Sequence, residues 1–458
     1  ILVGGIAAVF LPERLRIYAP AVSSGLALVP ILYSVLPVLM GGTAVSLRLT
    51  LGYPIGEVIL SLDPLSAFFA ALIAAAGFPG VLYAIGYMRP YIGRGMATGA
   101  HVLFLCVFIA SMLVAVVLKN ALAFLIAWEI MSLSSFFLVI FEHGKESTLR
   151  AGIYYLIATH VGVIFLIAGF ALLSLRTGSM DFDAFRAVAG TPEADIVFIL
   201  LFIGFGLKAG FVPFHTWLPK AHPAAPSHVS GLMSGIMIKL GIYGILRALM
   251  FHGTPSAGMA AFVLGISIVT AVAGVMYAIA QHDLKRLLAY HSVENIGIIG
   301  IGIGVGMMGL AFGNPAMAAL GFAGGILHVL NHSIFKGLLF YGAGAVYLKT
   351  HTLDIEKLGG LARRMRMTAV FFLIGSLAIS GLPPFNGFVS ELLIYLGMLT
   401  GVRTPGAALT LVSALSICSL AVVGAMAFLC FTKAFGVVFL GSPRSTLATE
   451  PDEVEGTM

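Results

Sequence analysis

The chain has 458 residues, of which 60% are hydrophobic and only 10% are charged, whereas about 25% of the residues in an average soluble domain are charged. This composition excludes a water-soluble enzyme and, because a membrane-spanning helix needs about 20 mainly apolar residues, indicates an all-α polytopic membrane protein. The net charge of +6 fits the Lys and Arg excess of cytoplasmic loops better than nucleic-acid binding, so we expect no nucleic-acid partner.

The three cysteines, Cys106, Cys418 and Cys430, stand singly in apolar segments. They offer neither the paired spacing of a metal site nor a disulfide framework. We therefore expect no metal, no cofactor and no catalytic residue in this chain.

Apolar segments separated by charged or Pro- and Gly-containing loops predict about 13 membrane-spanning helices. In chain order they lie near residues 1–12, 17–41, 64–87, 100–118, 120–141, 149–174, 195–213, 228–250, 258–280, 285–309, 316–347, 367–400 (interrupted) and 407–438. The first is short, and the polar segment 439–458 resembles a loop. We therefore expect the first span to be cut short and a last helix to be missing after this loop.

The loop before the third span predicts a small extramembrane hairpin near residues 43–61. Residues 46–51 alternate between polar and apolar side chains, and Gly52-Tyr53-Pro54 supplies a turn before a second β-like run. The dipeptide Asp63-Pro64 then predicts an N-cap and a first-turn proline for the third span.

Lys and Arg residues are distributed unequally between alternate loops. Sixteen fall in loops on one side of the predicted membrane and six on the other, while Lys208, Lys239 and Lys336 fall inside spans. Because cytoplasmic loops carry the excess of basic residues, the richer side is expected to be cytoplasmic. The prediction is a multi-pass protein of the cell membrane with its N-terminus outside.

Several ionisable side chains fall inside predicted spans, although a charge at a helix centre costs roughly 2.5–3.5 kcal/mol on insertion scales. A single such group would indicate a structural ion pair or a side chain that reaches the membrane surface. A set distributed over at least five spans instead favours proton transfer through the protein. The set comprises Glu129, Lys208, Lys239, His328, His332, Lys336 and Glu391.

Two subsets of these residues have an informative arrangement. His328, His332 and Lys336 are four residues apart, so they share one helix face over about 12 Å, and neutral imidazoles can accept and donate protons there. The same His spacing occurs in zinc sites, but no Glu follows the first His. A buried Glu129 near Lys208 would form a switchable pair, since a carboxylate stabilises the charged amine; a static ion pair is equally compatible with the sequence.

Two Pro-containing interruptions of apolar helices, Gly210–His215 and Gly381–Asn386, resemble each other. Each should free backbone carbonyl groups at membrane depth, and a His-Val pair lies about 55 residues upstream of each proline, at His160 and His328. Paired broken helices are typical of structural repeats in transporters. Two unrelated kinks are the alternative.

Three histidines, His215, His222 and His228, flank prolines in a predicted exposed loop. They could form a proton entrance or be ordinary polar residues of the membrane interface, and the sequence favours neither role.

Four motifs resemble those of the antiporter-like proton-pumping subunits of respiratory complex I and related membrane-bound hydrogenases. They are Trp128–Ser134, Lys208–His222, Asp283–Tyr290 and Asn331–Gly337. The likeness covers roughly residues 60–445. Two further runs, Tyr290–Gly297 and Val437–Arg444, are most similar to the branch of hydrogenase-4 component B and its formate hydrogenlyase counterpart.

The resemblance implies a fold of about fourteen helices with two inverted five-helix repeats. The repeats would occupy about 100–250 and 258–438, after N-terminal helices at 1–95 and before the polar tail at 439–458. A last helix would follow this tail.

The resemblance also implies roles for the buried groups. In such subunits the helix that carries Glu129 pairs with the broken helix that carries Lys208. The path then leads from Lys239 through the groups at 328–336, and Glu391 is the exit-side group.

The implied function is that of a proton-translocating membrane subunit, coupled to redox chemistry in a peripheral arm of a hydrogenase or an NADH–quinone oxidoreductase-type complex. One alternative is a subunit of a multi-subunit sodium/proton antiporter, which shares the same core. A second alternative is a solute transporter with a cavity at the broken helices. The inner spans disfavour a solute transporter, because they carry titratable groups distributed along the membrane and few residues that would shape a specific pocket.

Overall fold

The computed structural model describes residues 1–50, 52, 56–446 and 451–458, which are mainly helical. The helices and strands in chain order are α1 (Leu2–Phe10), α2 (Glu13–Arg16), α3 (Ala19–Leu39), β1 (Val45–Thr50), β2 (Glu57–Leu62), α4 (Pro64–Met88), α5 (Thr98–Val117), α6 (Ala121–Val139), α7 (Glu146–Thr177), α8 (Phe182–Phe185), α9 (Pro192–Ala209), α10 (Leu218–Ala224), α11 (Ser227–Leu232), α12 (Ile238–His252), α13 (Ala257–Ile279), α14 (Leu284–Ala311), α15 (Pro315–Thr350), α16 (Arg366–Ile379), α17 (Asn386–Arg403) and α18 (Ala407–Phe439).

Eleven helical segments in the described part of the chain are long and apolar enough to cross a membrane. They are Glu13–Leu39, Pro64–Tyr91, Thr98–Val117, Ala121–Val139, Glu146–Thr177, Pro192–Ala224, Ser227–His252, Ala257–Ile279, Leu284–Ala311, Pro315–Thr350 and Ala407–Phe439. The shorter helices α1 and α16 are also apolar. The all-α polytopic membrane fold expected from the composition is therefore confirmed.

A small two-stranded sheet precedes α4. Strands β1 and β2 pair antiparallel, with Val45 opposite Leu62, in the segment whose alternation predicts a hairpin. Of the predicted turn Gly52-Tyr53-Pro54, the last two residues lie outside the described residues.

Helix α4 begins at the predicted N-cap. The Asp63 carboxylate accepts a hydrogen bond from the Ser66 backbone N–H at 2.9 Å, and Pro64 occupies the first helical position. Proline fits there because its missing N–H would have no partner in the first turn.

The chain divides into two compact units. The first unit comprises Ile1–Ala209, Ala224–Gly253 and Thr457–Met458, and the second comprises Gly210–Pro223 and Thr254–Gly456. An inverted-repeat relationship between 100–250 and 258–438 stays a prediction.

Glycines bring helices of the first unit into close contact. A Cβ atom at Gly204 of α9 would lie 2.8 Å from the Gly162 carbonyl oxygen of α7, and one at Gly241 of α12 would lie 2.5 Å from the Phe205 carbonyl oxygen of α9. Small residues permit such approaches where lipid supplies no hydrophobic driving force. Helix α9, which carries Lys208, is therefore packed closely against both α7 and α12.

The second unit uses glycine in the same way along α14. A Cβ atom at Gly302 would lie 2.7 Å from the Gly325 Cα of α15, and one at Gly304 would lie 2.8 Å from the Leu264 Cα of α13. Helix α14 is thereby enclosed by its two neighbours, and most of its side chains are buried.

The chain leaves the α-helical conformation at both predicted interruptions. Gly210 follows α9 with φ of +93°, and Gly381 follows α16 with φ of +63°, a region that glycine adopts without a steric penalty. The peptide bonds Val212–Pro213 and Pro383–Pro384 are cis. Helix α17 begins after the second interruption.

Candidate functional site

Lys208 is a buried amine in the last turn of α9. Its side chain is held by two hydroxyl groups: the Nζ atom donates to the Ser132 Oγ of α6 at 3.0 Å and to the Tyr155 hydroxyl of α7 at 2.9 Å. The Tyr155 hydroxyl also lies 2.6 Å from the Ser135 Oγ. The lysine is only 1% exposed, so neutral oxygens from two other helices provide its polar contacts.

The structure does not bring Glu129 and Lys208 into a direct ion pair, and no ion pair between them exists among the described residues. The Glu129 carboxylate instead lies 3.3 Å from the His160 Nε2 of α7. The residue of α6 that contacts the lysine is Ser132, three positions after Glu129. The two opposite charges still interact electrostatically across the longer separation. A functional coupling between them stays a prediction.

Lys239 lies fully buried near the start of α12. Its amine donates to the backbone carbonyl of Ser234, inside a π-helical turn formed by Met233–Met237. Such turns are rare and occur frequently at functional sites.

The loop predicted around His215, His222 and His228 is largely helical. His215 is half-buried, whereas His222 and His228 are fully buried, in α10 and α11 respectively. The exposed-loop interpretation is wrong for these two residues, because Pro219 stands in the first turn of α10 and Pro226 at the N-cap of α11, where proline is tolerated.

In the second unit, His328, His332 and Lys336 are buried on α15, and two of them bond to other helices. The His328 Nδ1 lies 2.9 Å from the Ser390 Oγ of α17, and its Nε2 lies 3.0 Å from the Asn295 Oδ1 of α14. The Lys336 amine donates to a backbone carbonyl of α14, that of Leu288, at 2.6 Å.

His332 stands between these two groups on α15. Its ring packs edge-on against Phe335, with the ring centroids 5.4 Å apart. The His332 side chain is fully buried, so it is not accessible from the surface of the protein.

Three candidate residues on α14, namely His291, Glu294 and Asn295, were not identified from the sequence. The fully buried carboxylate of Glu294 contacts the imidazole Nδ1 of His291 and interacts electrostatically with Lys336. Asn295 joins this pair to the next group, since its amide lies 3.5 Å from Glu294 and its Oδ1 is the partner of His328. Glu294 could have been identified from the sequence, because it is a Glu inside an apolar span, which is the criterion that selected Glu129.

Glu391 lies on α17, at the second helix break, and is 7% exposed. A Cβ atom on Gly381 would lie 2.8 Å from the Glu391 Oε2, so the carboxylate sits directly against the interrupted backbone. Ser390, the adjacent residue, bonds His328 and also accepts from the Asn331 amide at 3.0 Å. The break therefore places one acidic and several neutral polar groups side by side.

These contacts form a continuous hydrogen-bonded chain in the second unit. It links, in this order, His291, Glu294, Asn295, His328, Ser390 and Asn331. Such networks polarise their members and fix their orientation. The chain contains two imidazoles and a carboxylate, which are groups able to exchange protons.

A further charged cluster lies in the first unit around Asp63. Its carboxylate accepts two hydrogen bonds from the Arg247 guanidinium, both at 2.6 Å, and one from the Lys119 amine at 2.5 Å. Burial would raise the pKa of Asp63, but the guanidinium and the amine hold it well below its usual range. The sequence predicted Asp63 only as a helix cap.

The chain matches a protein family and curated relatives. The family model described as NADH:quinone oxidoreductase/Mrp antiporter, transmembrane, matches residues 119–418. Hydrogenase-4 component B of Escherichia coli (strain K12) is 44% identical over 425 residues, which cover 92% of this chain and 63% of that protein. Formate hydrogenlyase subunit 3 of the same strain is 36% identical over 389 residues, covering 84% and 62%.

A solved structure shares the fold. A chain in the structure of the Mrp complex from Dietzia sp. DQ12-45-1b superposes with a TM-score of 0.82 at 23% identity, covering 96% of this chain and 79% of that chain. The chain thus spans just under two thirds of the length of the two curated relatives. Because the family model matches more than half of its residues, the chain belongs to the NADH:quinone oxidoreductase/Mrp antiporter transmembrane family.

Proposed function

We propose that this chain is a proton-translocating, antiporter-like membrane subunit of a hydrogenase or of an NADH:quinone oxidoreductase-type complex. Protons move through its buried Glu, Lys and His side chains, and the driving energy comes from redox chemistry in other subunits.

The observation that carries the proposal is the environment of the buried lysines. Lys208 donates to two hydroxyl groups and Lys336 to a backbone carbonyl. Neither amine forms an ion pair among the described residues. Because no carboxylate in contact fixes the charged state, each amine can release and regain a proton.

A purely structural role explains these lysines less well. Burying an unpaired ionised amine is expensive, and apolar side chains of similar volume fill such positions at lower cost. Both units nevertheless keep amines in the interior of membrane-spanning helices. Their retention is expected if the charge itself is used.

The proposal extends to location and partners. The excess of basic residues in one set of loops supports a cell-membrane protein with its N-terminus outside. The relatives are named as a component of hydrogenase-4 and a subunit of formate hydrogenlyase, which supports further membrane subunits and a peripheral redox arm as partners.

Sodium/proton exchange is the second candidate, since the family description also names the Mrp antiporter. Both functions require a path for protons, and they differ in the driving force. The distinction is therefore experimental: one function needs redox turnover and the other needs a sodium gradient.

The test is transport by the purified complex in sealed proteoliposomes, followed with a pH-sensitive dye. We expect proton movement on addition of the electron donor and acceptor, with the same stoichiometry in sodium-free and sodium-containing buffer. Proton movement that follows an imposed sodium gradient without redox turnover would establish the antiporter alternative. No proton movement under either driving force would contradict both.

A further inference from the structure

We infer that His101 and His228 form the proton entrance of the first unit, on the side of the loops that carry Arg89 and Lys145. The inference rests on the proposed proton translocation and adds two residues to its path.

The two imidazoles are directly hydrogen-bonded. The Nε2 atoms of His101 on α5 and His228 on α11 are 2.8 Å apart, and the residues are 3% and 0% exposed. A bond between two ring nitrogens requires one protonated and one bare nitrogen. When a proton passes through the pair, the donor and the acceptor exchange roles, which is the elementary step of a relay.

The pair lies just below the loop surface. Glu142, which is half-buried, pairs with Lys145 and accepts a hydrogen bond from the Tyr91 hydroxyl at 2.9 Å. The neighbouring Phe141 packs on the His101 ring, with centroids 4.6 Å apart, and on the Tyr91 ring at 5.3 Å. Tyr91 and Phe141 therefore connect the half-buried carboxylate to the buried His101 ring.

Tyr87 covers the pair from α4. Its ring packs edge-on against His228 at 5.3 Å and stacks with Tyr91 at 6.3 Å. Tyr87 is thus a titratable group in contact with the pair, and Tyr91 and Glu142 lie beyond it. No carboxylate lies within ion-pairing distance of His101 among the described residues, so a proton on that ring is not held by a counter-charge.

The second ring nitrogen of His101 is the site at which the pair can take up a proton. His101 Nδ1 is buried and has no hydrogen-bond partner among the described residues. An imidazole nitrogen left in this state is costly unless water satisfies it. It is the position at which water can deliver a proton to the pair.

The helix of His228 leads on toward Lys239. The run continues from α11 through the π-helical turn Met233–Met237 into α12, so the two residues are about 16 Å apart along the axis at 1.5 Å per residue. The pair therefore stands between the loop surface and the buried amine, as an entrance group must.

The discriminating substitution is histidine to glutamine. The Gln amide can keep a hydrogen bond at the Nε2 position, but it cannot take up and pass on a proton. A structural role therefore tolerates the change, whereas a relay does not. His143→Gln, at an exposed loop histidine close to Glu142, is the matched control.

The experiment measures redox-driven proton translocation per assembled complex in membranes that carry His101→Gln, His228→Gln, His143→Gln or Lys208→Met. We expect each of the first two to slow translocation by roughly 100-fold or more, the loss typical of a missing acid–base group, with normal amounts of complex and a normal rate for His143→Gln. Normal rates in His101→Gln and His228→Gln, with translocation lost in Lys208→Met, would overturn the proposed entrance but not the proposed proton translocation. Normal rates in all four variants would overturn the proposed function as well.

Discussion

The Lys208 amine lies 3.0 Å from the Ser132 hydroxyl, although the Glu129 carboxylate stands only three residues earlier on the same helix. Tyr155 supplies the second contact from α7. The buried charge is therefore solvated by neutral oxygens, and the acid acts on it from a distance. An amine held in this way can change its protonation state without breaking an ion pair.

The first prediction concerns these two hydroxyl groups. Ser132→Ala and Tyr155→Phe each remove one hydrogen bond from a charged amine, a contact worth roughly 1.5–3 kcal/mol. We expect slower translocation per complex in each variant and a further loss in the double variant. Ser134→Ala is the control, because within the described part of the chain the Ser134 hydroxyl bonds carbonyls of its own helix; an equal effect of that change would argue against a specific role of the two contacts.

The second prediction concerns the ion pair of Asp63 with Arg247 and Lys119. Asp63→Asn leaves two cations without their carboxylate and should lower the free energy of unfolding by on the order of 3 kcal/mol at pH 7. The pKa of Asp63 is lower in the folded state, so its contribution is fully present above its usual value of 3.8 and is lost as the pH falls through the lowered value. Thermal unfolding of the detergent-solubilised protein should show the deficit from pH 5 to 7. A variant as stable as the parent at pH 7 would refute it.

The third prediction concerns the pH dependence of Lys119. Burial and the nearby Arg247 guanidinium lower the pKa of its amine to about 8, although Asp63 opposes the shift. The folded chain then loses the proton before the unfolded chain does. Stability contributed by Lys119 should therefore rise between about pH 8 and 10.5.

The measurement for Lys119 is the unfolding temperature of the parent protein minus that of Lys119→Met, taken at pH 7 and at pH 10. We expect this difference in unfolding temperature to be more positive at pH 10 than at pH 7. Lys357→Met, at an exposed lysine, is the control and should show no such trend. A difference that falls with pH would contradict the lowered pKa.

The fourth prediction concerns Asn295, which links α14 to His328. Asn295→Leu keeps a similar volume but removes the 3.0 Å contact with the imidazole and interrupts the hydrogen-bonded chain from Glu294. We expect assembled complex with strongly reduced translocation. Ser416→Ala, which removes a buried hydroxyl that donates to the Val412 carbonyl of its own helix, should translocate normally. Because an amide does not itself carry a proton, the role tested is the orientation of His328 and Glu294, and full activity of Asn295→Leu would show that translocation does not depend on it.

Much of the fold could be predicted from the sequence. A helix that crosses a membrane must be apolar over its whole length, so segment hydropathy alone locates most spans. The interruptions were visible as Gly and Pro at Gly210–His215 and Gly381–Asn386. The shared helix face of His328, His332 and Lys336 on α15 could also be predicted, because residues four apart necessarily lie on one face.

The partners of the buried groups could not be predicted in the same way. His101 and His228 are 127 positions apart, and Asp63 and Arg247 are 184 apart. No periodicity connects such residues, since their contact depends on how separate helices pack. Glu129 shows the same limit, because the contact between its helix and Lys208 is made by Ser132 and not by the carboxylate.

The most direct test of the central claim is the number of protons translocated per redox turnover by complexes that carry Lys208→Met or Lys336→Met. Both substitutions leave an apolar side chain of similar length and remove the charge, and assembly and electron transfer are measured on the same membranes. The account predicts that each variant assembles and loses proton translocation, while Lys357→Met retains the parental stoichiometry. Assembled complexes that keep this stoichiometry without either buried lysine would contradict it.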